Sequence, residues 1–187
     1  MEQLTLNISN KSEVKIIAAS SYNFQIELLE KIGKDDLPDI LNISKELSEI
    51  YGNHIMIDER NVMKYFNENT LPFLARYNKK IIGYIIGVPL EHFNEESWCK
   101  YDTNLNKKNT IYTYAFIIKK KHRKSGGYGK TLKMIYLNWA KKRGFEFVTG
   151  HVAQSIVKNF KAKVETIKVF SNWYGTNIPF EYYRRKL

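Results

Sequence analysis

The sequence has 187 residues, 30 Lys and Arg against 19 Asp and Glu, a formal net charge of +11, and 43% apolar residues, enough for one domain with a proper core and too apolar for a disordered tail. A single cysteine, Cys99, excludes an intrachain disulfide and a cysteine-rich zinc site. No run approaches the roughly 18 apolar residues of a membrane helix, and Met1-Glu2-Gln3-Leu4-Thr5 lacks a signal-peptide pattern, so we expect a soluble, cytoplasmic protein.

Residues 1–22 are expected to form an N-terminal extension, with Val14-Lys15-Ile16-Ile17 as an extra strand or a loose arm, and residues 23–187 one domain. Phe24 to Ile32 alternates apolar and polar residues as a strand does. Asp35-Asp36 and Pro38 then open a helical set, Leu37, Ile40, Leu41, Ser44, Leu47 and Ile50, which Gly52 closes. A second short helix is predicted from Asp58 to Asn67. Leu71–Tyr77 and Lys80–Val88 read as a hairpin turning at Asn78-Lys79, and Asn94 to Lys108 as a loop.

Thr110 to Ile118, rich in Ile, Tyr, Phe and Thr, is the clearest strand. Gly129 to Arg143 carries apolar residues at 132, 135, 136, 139 and 140, one helical face, with Gly144 as its stop. Another strand follows at Phe145–Val152, then a helix around Val157–Phe170, then a last strand at Phe180–Tyr183. This order predicts a mixed sheet with helices on both faces.

The charge is concentrated. Thr103 to Phe145 holds 12 Lys and Arg and no Asp or Glu, while the rest of the chain is nearly neutral. Inside that stretch, Lys119-Lys120-Lys121-His122-Arg123-Lys124-Ser125-Gly126-Gly127-Tyr128-Gly129-Lys130-Thr131 runs from a strand through a glycine-rich turn into a helix. Glycines there permit positive φ and expose backbone N–H groups. At a helix start those groups favour an anion, so the turn reads as a phosphate cradle. The P-loop pattern fails because Lys124 stands at its opening glycine, and no Asp follows to hold magnesium. The dinucleotide pattern fails because Leu132 stands at its third glycine.

Lys124-Ser125-Gly126-Gly127-Tyr128-Gly129 resembles the Gln/Arg-x-x-Gly-x-Gly/Ala signature of the GNAT superfamily of N-acetyltransferases, with Lys in place of Gln or Arg. The element order from about Phe24 onward, and the aromatic tail Glu181-Tyr182-Tyr183-Arg184-Arg185, are also similar to that family. The resemblance implies an α/β fold of the α+β type, with a mostly antiparallel twisted sheet. It implies direct transfer of an acetyl group from acetyl-CoA to a primary amine.

On this resemblance, the backbone of Phe116, Ile117 and Ile118 would run along the pantetheine arm. Arg123, Lys124, Ser125, Gly126, Gly127, Tyr128, Gly129, Lys130 and Thr131 would wrap the pyrophosphate, and Asn159 would contact the cosubstrate near the last helix. An amine with pKa near 10.4 costs roughly 4–5 kcal/mol to deprotonate at neutral pH, so a general base is expected. Glu91 is the acidic candidate, with His92 as a substitute. Phe170 stands where the family often has a Tyr that protonates the leaving thiolate, which leaves Tyr174 as the candidate acid. His54 and His151 have no companions at metal-ligand spacing, so no metal is expected. A basic nucleic-acid-binding module, or a fold of this kind that binds acyl-CoA without acetylating amines, stays open, as does a monomer or a homodimer. The acidic residues Asp58, Glu59, Glu91, Glu95 and Glu96 would suit a cationic acceptor.

Overall fold

The computed structural model describes residues 8–20, 23–124, 126–157, 160 and 163–187. The chain begins with two antiparallel strands, β1 (Glu13–Ala19) and β2 (Phe24–Lys31). Helix α1 (Leu37–Tyr51) follows, with Ile40, Ile43 and Leu47 turned wholly inward, as their spacing requires. Asp36 precedes α1 without capping it. It is buried and takes two hydrogen bonds from Arg76, which also binds Glu27, so one guanidinium ties the start of α1 to two strands. Gly52 ends α1 at φ 93°.

The second helix, α2 (Val62–Tyr65), is a single turn, shorter than the Asp58–Asn67 expected. Strands β3 (Leu71–Tyr77) and β4 (Lys80–Pro89) form the hairpin, with Asn78 and Lys79 both at positive φ, the tight turn that matches strand twist. Two 3-10 turns, Leu90–Phe93 and Ser97–Tyr101, lead to β5 (Thr110–Ile118). Then come α3 (Tyr128–Lys142), β6 (Phe147–Ala153), the one-turn α4 (Gln154–Val157), β7 (Glu165–Phe170) and β8 (Phe180–Lys186).

Here one expectation fails. Among the described residues no helix spans Val157–Phe170: Glu165–Phe170 is a strand paired antiparallel with β8. Ile167 and Phe170 stand three apart, as on a helix. Yet Thr166, Ile167, Val169 and Phe170 are β-branched or aromatic and suit a pleated edge, and β8 offers the backbone partners.

The sheet runs β1-β2-β3-β4-β5-β6-β8-β7. Every neighbouring pair is antiparallel except β5 and β6, which are parallel. Helices cover both faces. One core joins α1 to Tyr84, Ile86, Tyr112 and Tyr182. The other joins Leu132, Ile135 and Tyr136 of α3 to Phe73, Ile85 and Ile111. The N-terminal strand is therefore an added edge beside β2, not a loose arm.

Candidate functional site

The parallel pair β5 and β6 stays together for only three residues, Thr110, Ile111 and Tyr112 against Phe147, Val148 and Thr149. Beyond Tyr112 the two strands part. A bulge lies at the same place. Ile86 pairs with Ala115 and Gly87 with Thr113, leaving Tyr114 extra on β5. A bulge bends its strand and re-aims the residues around it. From Thr113 to Phe116, the β5 edge toward β6 thus has no partner strand, and its backbone groups face the gap.

Two cavities occupy this gap and meet at Leu47, Tyr51 and Phe116, which line both. The first, of about 310 Å³, takes its walls from both sides of the sheet: Tyr51 and His54 from one face, Lys133 and Leu137 from the other. It therefore passes through the sheet between β5 and β6. The second, of about 480 Å³, lies at the end of β5 and is lined by Phe116 to Ile118, His122 to Lys124, and Gly127 to Lys130.

Apart from Leu47 and Tyr51 of α1, the second cavity is lined by one stretch of chain, from Phe116 to Lys130. The Lys119 N–H donates to the Ile82 carbonyl at 2.7 Å, keeping the end of β5 on β4. A 3-10 turn, Lys120–His122, then reverses the chain. Lys124, Gly126 and Gly127 all have positive φ, near 65°, a conformation that glycine adopts at no steric cost. Gly127 sits where α3 begins, and the first helical bond is the Thr131 N–H to the Gly127 carbonyl, 3.0 Å. The N–H groups of Gly127, Tyr128, Gly129 and Lys130 thus have no helical acceptor and open toward the cavity.

The side chains there have separate duties. The Tyr128 ring packs on Phe24 at 4.6 Å and Tyr77 at 5.5 Å, pinning the start of α3 to the strand ends. The Thr131 hydroxyl turns back to the Gly127 carbonyl, 3.3 Å. Arg123 Nε donates to the Ile118 carbonyl at 2.7 Å and its Nη2 lies 3.8 Å from Glu46 of α1. Lys119 Nζ donates to Asp39 of α1 at 3.4 Å. The basic run is thus partly neutralised by acids that precede it by many residues. Among the described residues, no ion pair engages Lys124 or Lys130. Ser125 and Asn159 lie outside the described residues.

The first cavity is aromatic. Tyr51, Tyr112, Tyr114, Phe160, Trp173 and Phe180 all contribute, and none of the described lining residues is Asp or Glu. Its cations are Lys133 and Arg185. Burial, helped by the nearby Arg185 charge, lowers the Lys133 pKa, and Lys133 Nζ sits 4.7 Å from the Phe160 ring centre.

At the point where the strands part stands His151. It lies opposite Tyr182 in the β6–β8 register, and the two rings stack at 4.6 Å and 8°. Trp173 covers the other side at 3.6 Å and 18°. The imidazole is therefore clamped in one plane. Its Nδ1 shares a hydrogen bond with the Tyr112 hydroxyl at 2.9 Å. Its Nε2 is buried with no hydrogen-bond partner among the described residues. Burial pushes the His151 pKa well below its ordinary value, so the ring is neutral at pH 7.

The sequence-derived catalytic pair does not line this space. Glu91 Oε1 accepts the Lys108 backbone N–H at 2.8 Å, and Glu91 is in the walls of neither cavity. Tyr174 is 53% exposed, stacks on His54 at 4.4 Å and donates to Glu96 Oε2 at 3.2 Å. It flanks the first cavity through His54 without entering its walls. Phe170 is at the end of β7, against His151 and Trp173. His151 was legible only as a lone histidine, because its partners Tyr112, Trp173 and Tyr182 come from three other segments. The one local signal was its place in Thr149-Gly150-His151-Val152, on the strand that runs parallel to β5.

A family model described as Acetyltransferase (GNAT) family matches residues 37–158. No curated protein matches the chain significantly. Among solved structures, ribosomal-protein-alanine N-acetyltransferase from Brucella melitensis superposes with a TM-score of 0.61 at 15% identity, covering 83% of this chain and 97% of the other. Ribosomal-protein-S18-alanine N-acetyltransferase from Escherichia coli gives 0.63 at 15% identity, with 87% and 93% covered. A CoA-dependent acyl-homoserine lactone synthase gives 0.66 at 12% identity, with 94% and 83% covered. At these identities the likeness is one of fold.

Proposed function

The chain belongs to the GNAT acetyltransferase family, and on that premise we propose that it transfers an acetyl group from acetyl-CoA to a primary amine by direct attack in a ternary complex. The observation that carries this reading is the continuity of the two cavities along one open strand edge. A cationic, glycine-rich turn lies at one end of the gap and an aromatic pocket at the other, joined at Phe116. From Ile118 back to Thr113 the strand spans about 17 Å, a path for a long, amide-containing arm whose polar groups bond to the unpaired backbone.

In this reading the N–H groups of Gly127 to Lys130 bind the pyrophosphate, where orphan donors and the helix dipole both favour an anion. The dipole contributes only about 0.3–1 kcal/mol, so Lys124 and Lys130 are needed for useful affinity. Arg123 acts mainly by holding the turn on Ile118 and Glu46. The backbone of Phe116, Ile117 and Ile118 lines the arm, and the aromatic end holds the thioester among largely apolar side chains.

A nucleic-acid-binding role is the weaker reading. Lys119 and Arg123 are engaged by Asp39 and Glu46, which removes two of the cations that an exposed basic tract would offer to phosphates. A thermal-shift comparison of acetyl-CoA, desulfo-CoA, ATP and NAD tests the proposal. The first two should raise the melting temperature at micromolar levels. If neither does, the transferase reading is wrong. An amine panel read by mass spectrometry then addresses the acceptor.

A further inference from the structure

We propose that the acceptor is an amine carried on an apolar, ring-sized body with no second positive charge, bound in the aromatic cavity between Tyr51, His54 and the open edge of β5. The proposal rests on the acetyl-transfer reading above and names the class of acceptor for that site.

The walls make the case. The cavity holds about 310 Å³, the small end of the range for ligand pockets. Tyr51, His54 and Ile55 line it where α1 gives way to a 3-10 turn, Asn53–Ile55. Tyr114 and Phe116 line it from β5. These five residues are half-buried or exposed, so they keep surface to offer a ligand. Tyr112, Trp173 and Phe180, also in the walls, are buried and give those surfaces a fixed apolar backing. His54 is exposed and Tyr174 stacks on it at 4.4 Å, so the cavity reaches solvent beside a stacked pair of rings. A ring or branched alkyl group there would meet aromatic faces and edges on several sides.

The charges agree. None of the described lining residues is Asp or Glu, whereas Lys133 and Arg185 are both in the wall. The acids that a polycationic acceptor would need stand outside it. Neither cavity wall includes Asp58, Glu59, Glu91, Glu95 or Glu96. Four nearby carboxylates already have partners. Asp58 binds Arg60, Glu46 lies 3.8 Å from Arg123, Glu91 accepts the Lys108 amide, and Glu96 accepts the Tyr174 hydroxyl. A second ammonium brought into the cavity would shed its water and meet two cations and no carboxylate.

For the reacting amine the same surroundings help. An ammonium among apolar walls and like charges gives up its proton more readily, which eases the formation of a nucleophile. Burial lowers the His54 pKa, so His54 adds no charge of its own at pH 7. The transfer itself balances simply. The ammonium's extra proton goes to water, and the amine nitrogen bonds to the thioester carbonyl carbon. The C–S bond breaks with its electron pair on sulfur, and in net one N–H proton ends on the thiol.

The test uses the full chain. With desulfo-CoA bound, 2-phenylethylamine and 3-methylbutylamine should raise the melting temperature further, and spermidine should not. With acetyl-CoA, kcat/KM for 2-phenylethylamine should exceed that for spermidine at least about 10-fold. Phenylalanyl-glycyl-glycine in the same panel tells a free amine from the first residue of a chain, and acetylation of either supports the inference. His54→Glu places a carboxylate at the exposed mouth without touching the core. It should narrow the preference over spermidine about 5-fold, with stabilisation by acetyl-CoA unchanged. Spermidine used as well as 2-phenylethylamine, or a preference unmoved in folded His54→Glu protein, overturns the inference. Stabilisation by acetyl-CoA would then still uphold the transferase reading. If acetyl-CoA does not stabilise the protein, that reading falls and the inference with it.

Discussion

The two ends of the cleft are made of opposite materials. The turn at the end of β5 is exposed, cationic and assembled from a single stretch, Ile118 to Thr131, with backbone N–H groups as its donors. The other end is aromatic and without a described carboxylate. It draws on β5, β6, β8 and the segment after β7, and on the α1 face as well. An anion can be held by solvated charges and amides that cost little to present, because water remains nearby. A packed aromatic wall, by contrast, takes side chains from many segments to build. The first end should therefore be sensitive to salt and tolerant of substitution, and the second should be the reverse.

The largest effect is expected at the aromatic end. Asp102 is fully buried and accepts hydrogen bonds from the Tyr182 hydroxyl and from Arg184 Nη1 at 2.6 Å. Arg184 reaches on to Glu165, which is mostly exposed. Asp102→Ala strands a nearly buried guanidinium and a buried phenol, and should cost about 3–5 kcal/mol in urea unfolding. The same change should leave acetyl-CoA affinity of the folded fraction almost untouched. A loss below about 1 kcal/mol would show that the aromatic end does not depend on this network. The opposite pattern is expected at the turn. Replacing Lys124 and Lys130 together with Ala should weaken acetyl-CoA binding about 10-fold, close to 1.4 kcal/mol, with little change in unfolding. That deficit should shrink as ionic strength rises and screening takes over. A salt-independent deficit would mean that the two lysines act through the shape of the turn and not through charge.

The same contrast explains what the amino-acid sequence discloses. The turn was legible because its parts are contiguous: three glycines in four positions, cations around them, a strand before and a helix after. The strands from Phe24 to Ile118 were legible from alternation, and α1 and α3 from their apolar spacing. The splay of β5 from β6 was not, because it depends on where a parallel register stops, and the bulge at Tyr114 depends on the partner strand β4. The helix expected around Val157–Phe170 gives way to β7 because the pairing with β8 that decides the matter is a tertiary fact. Glu91 follows β4 as expected, but the bond its Oε1 accepts from the Lys108 amide joins residues 17 apart and has no local signature. The neutralisation of Lys119 and Arg123 by Asp39 and Glu46 was hidden for the same reason, since those acids belong to α1.

The smallest predicted effect sharpens the contrast through pH. Burial depresses the His151 pKa from its ordinary value of 6.5, so between 6.5 and its folded pKa the unfolded chain binds this proton and the folded one does not. Unfolding stability must then rise with pH in that window, and fall as the solution is acidified below about 6.5. One such group removes about 1 kcal/mol between pH 6.5 and 5.5. His54 and His122, also depressed by burial, act in the same direction. The measurement is therefore the difference between the wild type and His151→Gln, each melted across that range. The difference should narrow by about 1 kcal/mol on acidification, because the variant lacks the titrating ring. A constant difference would mean that the folded protein protonates His151 as readily as the unfolded chain does. The surroundings of His151 would then be wet, and their chemical distinction from the turn would disappear.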